Sequence, residues 1–163
     1  MPETPTTNDP QAWQRFFAAE CNNLAWEIAS RDDLSAQDEN NLLNAAFAAA
    51  YHWSQVGQPV NIARADQTLA HAHAVIAQHD NDAALASRAL FYARRSLNFF
   101  NTNPGEDWDL AFAHAEMAFA AALGADRHLH EYHYRQAERL GQSIADEEDR
   151  KVFLEEFKKI PRP

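Results

Sequence analysis

The chain has 163 residues, a formal net charge of −10 at pH 7 and a single cysteine, Cys21. So acidic a chain disfavours a broad contact with nucleic acid or with an anionic membrane, and a lone cysteine excludes an internal disulfide. Hydrophobic residues make up 46% of the chain, and alanine is abundant beside only four glycines. This composition indicates one all-α domain over residues 1–163, with enough chain to bury a sizeable core.

The first nine residues have neither the basic segment nor the apolar run of a secretory signal. No apolar stretch is long enough to span a bilayer. We therefore expect a cytoplasmic protein of bacterial type.

About seven helices are predicted in chain order, after a loose polar terminus over residues 1–8. Asp9 followed by Pro10 starts the first helix, Ser35 and Asp38 form a capping box for the second, and Asn61 caps the third. The predicted helices cover residues 10–30, 35–57, 61–80, 81 or 82 up to a turn at 101–105, 107–124, 126–141 and a capping helix at 146–160.

Apolar residues at helical spacing predict which side of each helix is buried. The buried side of the first helix carries Trp13, Phe17, Leu24 and Ile28. The fifth helix has a continuous apolar stripe, which consists of Trp108, Phe112, Ala115, Phe119 and Ala122. This stripe predicts a central position for the helix, with two buried sides. Gly124 and Gly141 are expected to stop the fifth and sixth helices, and the short seventh covers the exposed end of the stack.

The third and fifth helices are related by an internal repeat. Shifting the sequence by 41 positions aligns identical residues, of which the most informative pairs are Asp66 with Asp107, Leu69 with Leu110, His73 with His114, and Arg94 with Arg135. Many other matches are alanine on alanine, which an alanine-rich chain gives easily. The pattern indicates one helix-turn-helix unit that is used twice.

Several segments resemble tetratricopeptide units. Residues 89–97 have the alternation of small and aromatic residues of a second repeat helix, and residues 123–126 look like the turn between two helices. Segments 51–57 and 107–113 are similar to small bacterial tetratricopeptide-like proteins of unassigned function. The period departs from the usual 34 residues of such repeats. The resemblance implies antiparallel α-hairpins stacked as a short superhelix, with a concave surface lined by the first helix of each unit, and it implies no activity.

The repeated polar residues suggest a candidate binding groove. Asp66 and His73, like Asp107 and His114, lie seven residues apart and therefore share one helical face. We predict that both pairs face one groove, joined by Arg64, Asp109 and Glu116, and that His52 and Trp53 supply an aromatic wall. The alternatives are that the aspartates complement helix starts, that the histidines satisfy buried polar groups, and that Trp53 packs in the core.

No pattern in the sequence indicates a catalytic triad, a phosphate-binding loop or a bound cofactor. His130 and His133 are three residues apart and are the weak candidates for a metal site, which would need further ligands that the sequence does not locate. A hydrogen-bonded or exposed histidine pair is the alternative. We assign no catalytic residue.

We interpret the chain as a non-enzymatic helical-repeat binding or scaffold protein, with a concave groove for a peptide, a protein or a small ligand. The alternative is an enzyme or metal-binding protein that uses histidines and carboxylates of the groove. Nucleic acid and membranes are not expected partners. Self-association is also predicted, because four phenylalanines exceed what one stripe per helix needs: Phe91, Phe99, Phe100 and Phe119.

Overall fold

The computed structural model describes residues 3–6 and 8–163, which contain seven α-helices and no strand. The helices are α1 (Pro10–Ala29), α2 (Ala36–Val56), α3 (Pro59–Asp80), α4 (Ala83–Phe100), α5 (Asp107–Leu123), α6 (Arg127–Gln142) and α7 (Glu147–Phe157). The predicted all-α class is confirmed. Residues 1, 2 and 7 of the predicted loose terminus lie outside the described residues.

Local capping signals set most of the helix starts. The side chains of Asp9, Asp82, Asp126 and Asp146 each accept a bond from a backbone N–H of the first turn, and Ser35 forms the predicted capping box with Asp38. Each bond satisfies an amide that has no partner within its helix.

The start of α3 differs from the prediction. The helix begins at Pro59, and the Asn61 side chain accepts a bond from the backbone N–H of Gln58 at 2.9 Å. Asn61 therefore lies inside the first turn rather than before it, because proline fits the first helical position.

The helices pack in two layers. Consecutive helices form the hairpins α1–α2, α3–α4 and α5–α6, and the odd-numbered helices also contact one another in the order α1, α3, α5, α7. The even-numbered helices α2, α4 and α6 lie on one side of this odd-helix layer. Among the described residues, no helix is long and apolar enough to cross a membrane.

Helices α3 and α5 carry the core, because each packs against four other helices. Small residues such as Ala70, Ala74, Ala111 and Ala118 are almost completely buried along them. Side chains of this size allow neighbouring backbones to approach closely. The predicted central position of α5 agrees with these contacts.

The buried face of α1 was predicted correctly for Ile28, which is buried, and Trp13 is half-buried, but the prediction was wrong for two residues. Phe17 and Leu24 are 43% and 44% exposed, whereas Ala18 and Ala25 are buried. Helix α1 packs on α2 through its alanines, because small side chains permit the close approach that larger ones would prevent.

The apolar stripe of α5 is only partly enclosed. Ala115 and Phe119 are buried, but Trp108, Phe112 and Ala122 are half-buried. The two aromatic rings of the first turns therefore remain accessible to a ligand.

Gly141 lies within α6, which was predicted to stop there. It is buried against α7, and a Cβ at this position would overlap the ring of Phe153. Its role is to let α7 approach α6, rather than to end the helix.

The phenylalanines behind the self-association prediction are mostly internal. Phe100 and Phe119 belong to the core, and Phe99 is half-buried. Phe91 alone among the four is largely exposed, at 56%. Self-association therefore stays a prediction, and only one of the four phenylalanines offers exposed apolar surface that would support it.

Candidate functional site

A groove with a volume of about 350 Å³ lies on the surface that the odd-numbered helices form. Its lining comes from all four of them, and we call it the odd-helix groove: Asn22, Trp26, Arg64, Gln67, Thr68, Trp108, Phe112, Asp149, Val152 and Glu156. Within each helix these residues are one, three or four positions from the next, so each helix presents one face. Aromatic rings form the walls, and amide, hydroxyl and carboxylate groups lie between them.

Arg64 is held in place at the groove by a buried carboxylate. Its Nε and Nη2 atoms donate to the two oxygens of Asp109, at 2.8 Å each, and Asp109 is 1% exposed. Hydrogen bonding to Asp109 raises the pKa of Arg64. The guanidinium lies 4.4 Å from the ring centroid of Trp108. Asp109 also accepts a hydrogen bond from the backbone N–H of Glu106. These contacts fix the positions of the Arg64 guanidinium and the Asp109 carboxylate at this end of the groove.

Trp26 forms the opposite wall and is also fixed. Its ring stacks on the His71 ring with 4.3 Å between centroids, and its edge faces Phe112 at 5.9 Å. Trp26 Nε1 donates to Thr68 Oγ1 at 3.2 Å, and that hydroxyl donates to Asn22 Oδ1 at 2.7 Å. The indole is therefore ordered before any ligand binds, which lowers the entropy cost of binding.

A buried pair of ionisable groups lies beneath Trp26. His71 Nδ1 donates to Glu116 Oε1 at 3.0 Å, and both side chains are almost completely buried. His71 Nε2 and Glu116 Oε2 have no hydrogen-bond partner within the described residues. Nε2 lies 3.9 Å from Oε2 of Glu156, which lines the groove. Unsatisfied polar atoms at such a depth are unusual in folded proteins.

The structure brings together three of the nine predicted site residues. Arg64 lines the odd-helix groove, Asp109 binds Arg64, and Glu116 bonds to His71, whose ring stacks on the groove residue Trp26. The other six lie elsewhere in the fold: His52, Trp53, Asp66, His73, Asp107 and His114.

The two repeated histidines point away from the groove, into the contact between the layers. The His73 ring lies 5.4 Å from that of Tyr92 in α4, with 33° between planes, and 5.7 Å from Phe47 in α2. The His114 ring lies 5.0 Å from that of His133 in α6, with 37° between planes. Both pairs join equivalent positions of successive hairpins. The repeat seen in the sequence therefore describes packing between helices, as in the alternative interpretation.

The two repeated aspartates also lie outside the groove. Asp66 pairs with Arg95 Nε at 3.2 Å on the α4 side, and burial raises its pKa to about 6 although Arg95 opposes the shift. Asp107 is in the first turn of α5 and accepts the backbone N–H of Ala145 at 2.7 Å. Of the two repeated aspartates, only Asp107 lies at the start of a helix, which is the role that the alternative interpretation gave to both.

His52 and Trp53 are in α2, which is not part of the odd-helix layer. The His52 ring contacts Phe17 of α1, with 5.7 Å between centroids, and Trp53 is half-buried. Neither lines the odd-helix groove. Trp26 supplies the wall that they were expected to supply.

The candidate metal ligands do not converge. His130 Nε2 donates to the carbonyl oxygen of Pro161 at 2.9 Å, while His133 Nδ1 is bonded to His114 Nδ1 at 2.8 Å. Within the described part of the chain, the ligand atoms of one group of three come within 4.8 Å of one another: Glu39, His79 and Asp80. Hydrogen bonding to Glu39 raises the pKa of His79. This largely exposed group is an ion pair at the end of α3.

Sequence reasoning missed Trp26, His71, Trp108 and Phe112 as site residues. Arg64 and His71 are seven residues apart and share a face, like the Asp66 and His73 chosen instead. The two stripes differ by two residues, which is about 200° around a helix, so they face opposite sides. The available signal was a tryptophan next to an acidic residue in α1 and in α5, Trp26 before Glu27 and Trp108 before Asp109.

No protein-family model, curated protein or solved structure matches the chain. The site is therefore defined by its own geometry, as a preformed aromatic and polar groove on an all-helical stack.

Acidification is expected to destabilise the protein through His114. Burial, with help from His133 and Arg139, lowers its pKa from 6.5 to about 4. The folded state therefore binds this proton less tightly than the unfolded chain. The contribution of His114 is complete above pH 6.5 and is lost as the pH falls towards 4, by up to roughly 2 to 3 kcal/mol.

Urea unfolding between pH 7 and 4.5 checks this for the wild type and for His114→Leu. The variant should lose less stability on acidification than the wild type, whereas His128→Leu, at an exposed histidine, should follow the wild type. The comparison is needed because Asp66, whose pKa is raised to about 6, acts in the opposite direction over the same range. Parallel curves for the wild type and His114→Leu would contradict the prediction.

Proposed function

We propose that the protein is a tetratricopeptide-like helical-repeat protein that binds a peptide or a segment of another protein in the odd-helix groove. The observation that carries the proposal is that four helices direct partly exposed aromatic rings and polar groups to one groove, with both tryptophans held by other side chains. Ordered aromatic surface with a few convergent polar groups is the usual composition of a binding site.

An extended segment suits the chemistry of the lining. Asn22, Gln67 and Thr68 offer amide and hydroxyl groups beside the aromatic walls. Such groups can bond to the backbone of a peptide, while Trp26 and Phe112 contact its apolar side chains. The proposal includes a cytoplasmic, bacterial setting, which fits a chain with one cysteine.

A peptide library provides the test. The full chain is immobilised and selected against random dodecapeptides, and the selected peptides are titrated against variants by tryptophan fluorescence and calorimetry. Phe112→Ala should weaken binding about tenfold, the equivalent of about 1.4 kcal/mol, because it removes one aromatic wall.

The matched controls remove exposed aromatic rings from the other side of the stack. Phe91→Ala in α4 and Tyr132→Ala in α6 take away rings that are 56% and 58% exposed. These variants should bind the selected peptides like the wild type. Loss of binding in the controls with retention in Phe112→Ala would overturn the assignment of the groove, and a selection that enriches no peptide would overturn the function.

The pair His71 and Glu116 favours a second candidate function, an acid-base enzyme. A carboxylate that fixes the Nδ1 proton leaves Nε2 as a proton acceptor, and this atom has no partner within the described residues. Hydrolysis of p-nitrophenyl acetate separates the candidates. Turnover that His71→Gln removes and Phe91→Ala retains would favour the enzyme, and equal slow hydrolysis by all three proteins would favour binding alone.

A further inference from the structure

We propose that the group recognised in the odd-helix groove is a basic side chain, a lysine or an arginine, of the bound peptide. The inference rests on the proposed function and specifies its ligand. It is carried by the balance of charge in the groove and by an arginine that already occupies one of its aromatic faces.

The charges at the groove leave a negative excess. The positive charge of Arg64 is matched by the bidentate contact with Asp109. Glu156 has Lys159 Nζ as a partner at 2.8 Å. Asp149 also lines the groove and makes no ion pair within the described residues. A cation would find a carboxylate free to pair with it, whereas an anion would meet only a guanidinium that is already engaged.

The aromatic walls suit a cation too. Arg64 stacks over Trp108 at 4.4 Å from the ring centroid, which shows that this groove accommodates a guanidinium on an indole. Trp26 and Phe112 offer further aromatic surface on the facing helices. Rings of this kind attract a cation through their quadrupole and contact the methylene groups of lysine or arginine. The net charge of −10 adds long-range attraction for a basic partner.

The test measures charge preference with a matched pair of double variants. Asp149→Asn with Glu156→Gln removes two charges from the groove, and Glu148→Gln with Glu155→Gln removes two exposed charges from the same helix with the same seven-residue spacing. The full chain is applied to a positional-scanning peptide array, in which each position is fixed in turn as one amino acid. Thermal melts establish that both double variants remain folded.

The wild type and the control should favour lysine or arginine over aspartate or glutamate by about tenfold at one position, since charge-assisted contacts are the stronger ones. The groove double variant should lose most of this preference. Binding of the wild type should also weaken between 0.05 and 0.5 M NaCl, by roughly severalfold, as screening predicts.

The outcomes separate the two proposals. Binding to the array without a basic preference, with an acidic preference, or with equal losses in both double variants would overturn this inference and leave groove binding standing. Absence of binding to every peptide would overturn both.

Discussion

Replacing Phe153 with alanine is expected to lower the free energy of unfolding by about 3 to 5 kcal/mol. The ring is fully buried, at 0% exposure, where α5, α6 and α7 meet. It stacks on Phe157 with 5.5 Å between centroids and meets Phe112 edge to face at 5.0 Å. Urea denaturation followed by circular dichroism gives the free energy. Phe112→Ala should cost less, about 1 to 2 kcal/mol, because that ring is only partly buried in the groove.

Gly141 tests the same contact from α6. Gly141→Ala improves helix propensity by up to about 1 kcal/mol, yet its methyl group would overlap the Phe153 ring. Overpacking of this kind typically costs about 1 to 3 kcal/mol, so net destabilisation is expected.

The double variant, in which both Gly141 and Phe153 become alanine, should lose less stability than the two single losses added together, because the new methyl group occupies part of the vacated space. A stabilising Gly141→Ala, or strict additivity in the double variant, would show that α7 does not pack here.

The second large effect concerns the ion pair of Arg64 with Asp109, and it should be asymmetric. Arg64→Met leaves a carboxylate that is 1% exposed without its cation, which should cost about 3 to 5 kcal/mol. Asp109→Asn keeps the size of the side chain, and it leaves a guanidinium that is one-third exposed and can regain water. This change should cost less, about 1 to 2 kcal/mol.

A double-mutant cycle provides the control for the ion pair. The double variant of Arg64→Met and Asp109→Asn should be more stable than Arg64→Met alone, since it no longer buries an unpaired charge. If Arg64→Met were as stable as the wild type at pH 7, Asp109 would have another partner or access to water.

Both effects depend on contacts between residues far apart in the chain, and the sequence predicted neither. Arg64 and Asp109 were chosen separately as groove residues, and their direct pairing across 45 positions was not foreseen. His71 was not chosen as a site residue, although it lies two positions from His73 and therefore faces the opposite side of α3, towards Trp26 and Glu116. Gly141 was read as a stop signal, since a glycine near a helix end usually is one.

The sequence by itself determined the seven helices and most of their ends. Helix propensity and capping act within a few residues, so signals such as Asp9 with Pro10 or Ser35 with Asp38 can be read from the chain alone. Alanine at helical spacing likewise predicts close packing of helices. The rotation of each helix about its axis was decided by the tertiary structure. In α3, for example, more than one side of the helix carries residues that could pack against a neighbouring helix, so the sequence does not show which side is buried. Packing turned the repeated histidines towards α4 and α6, and it left Arg64, Gln67 and Thr68 of α3 to form the groove with Trp26 and Trp108.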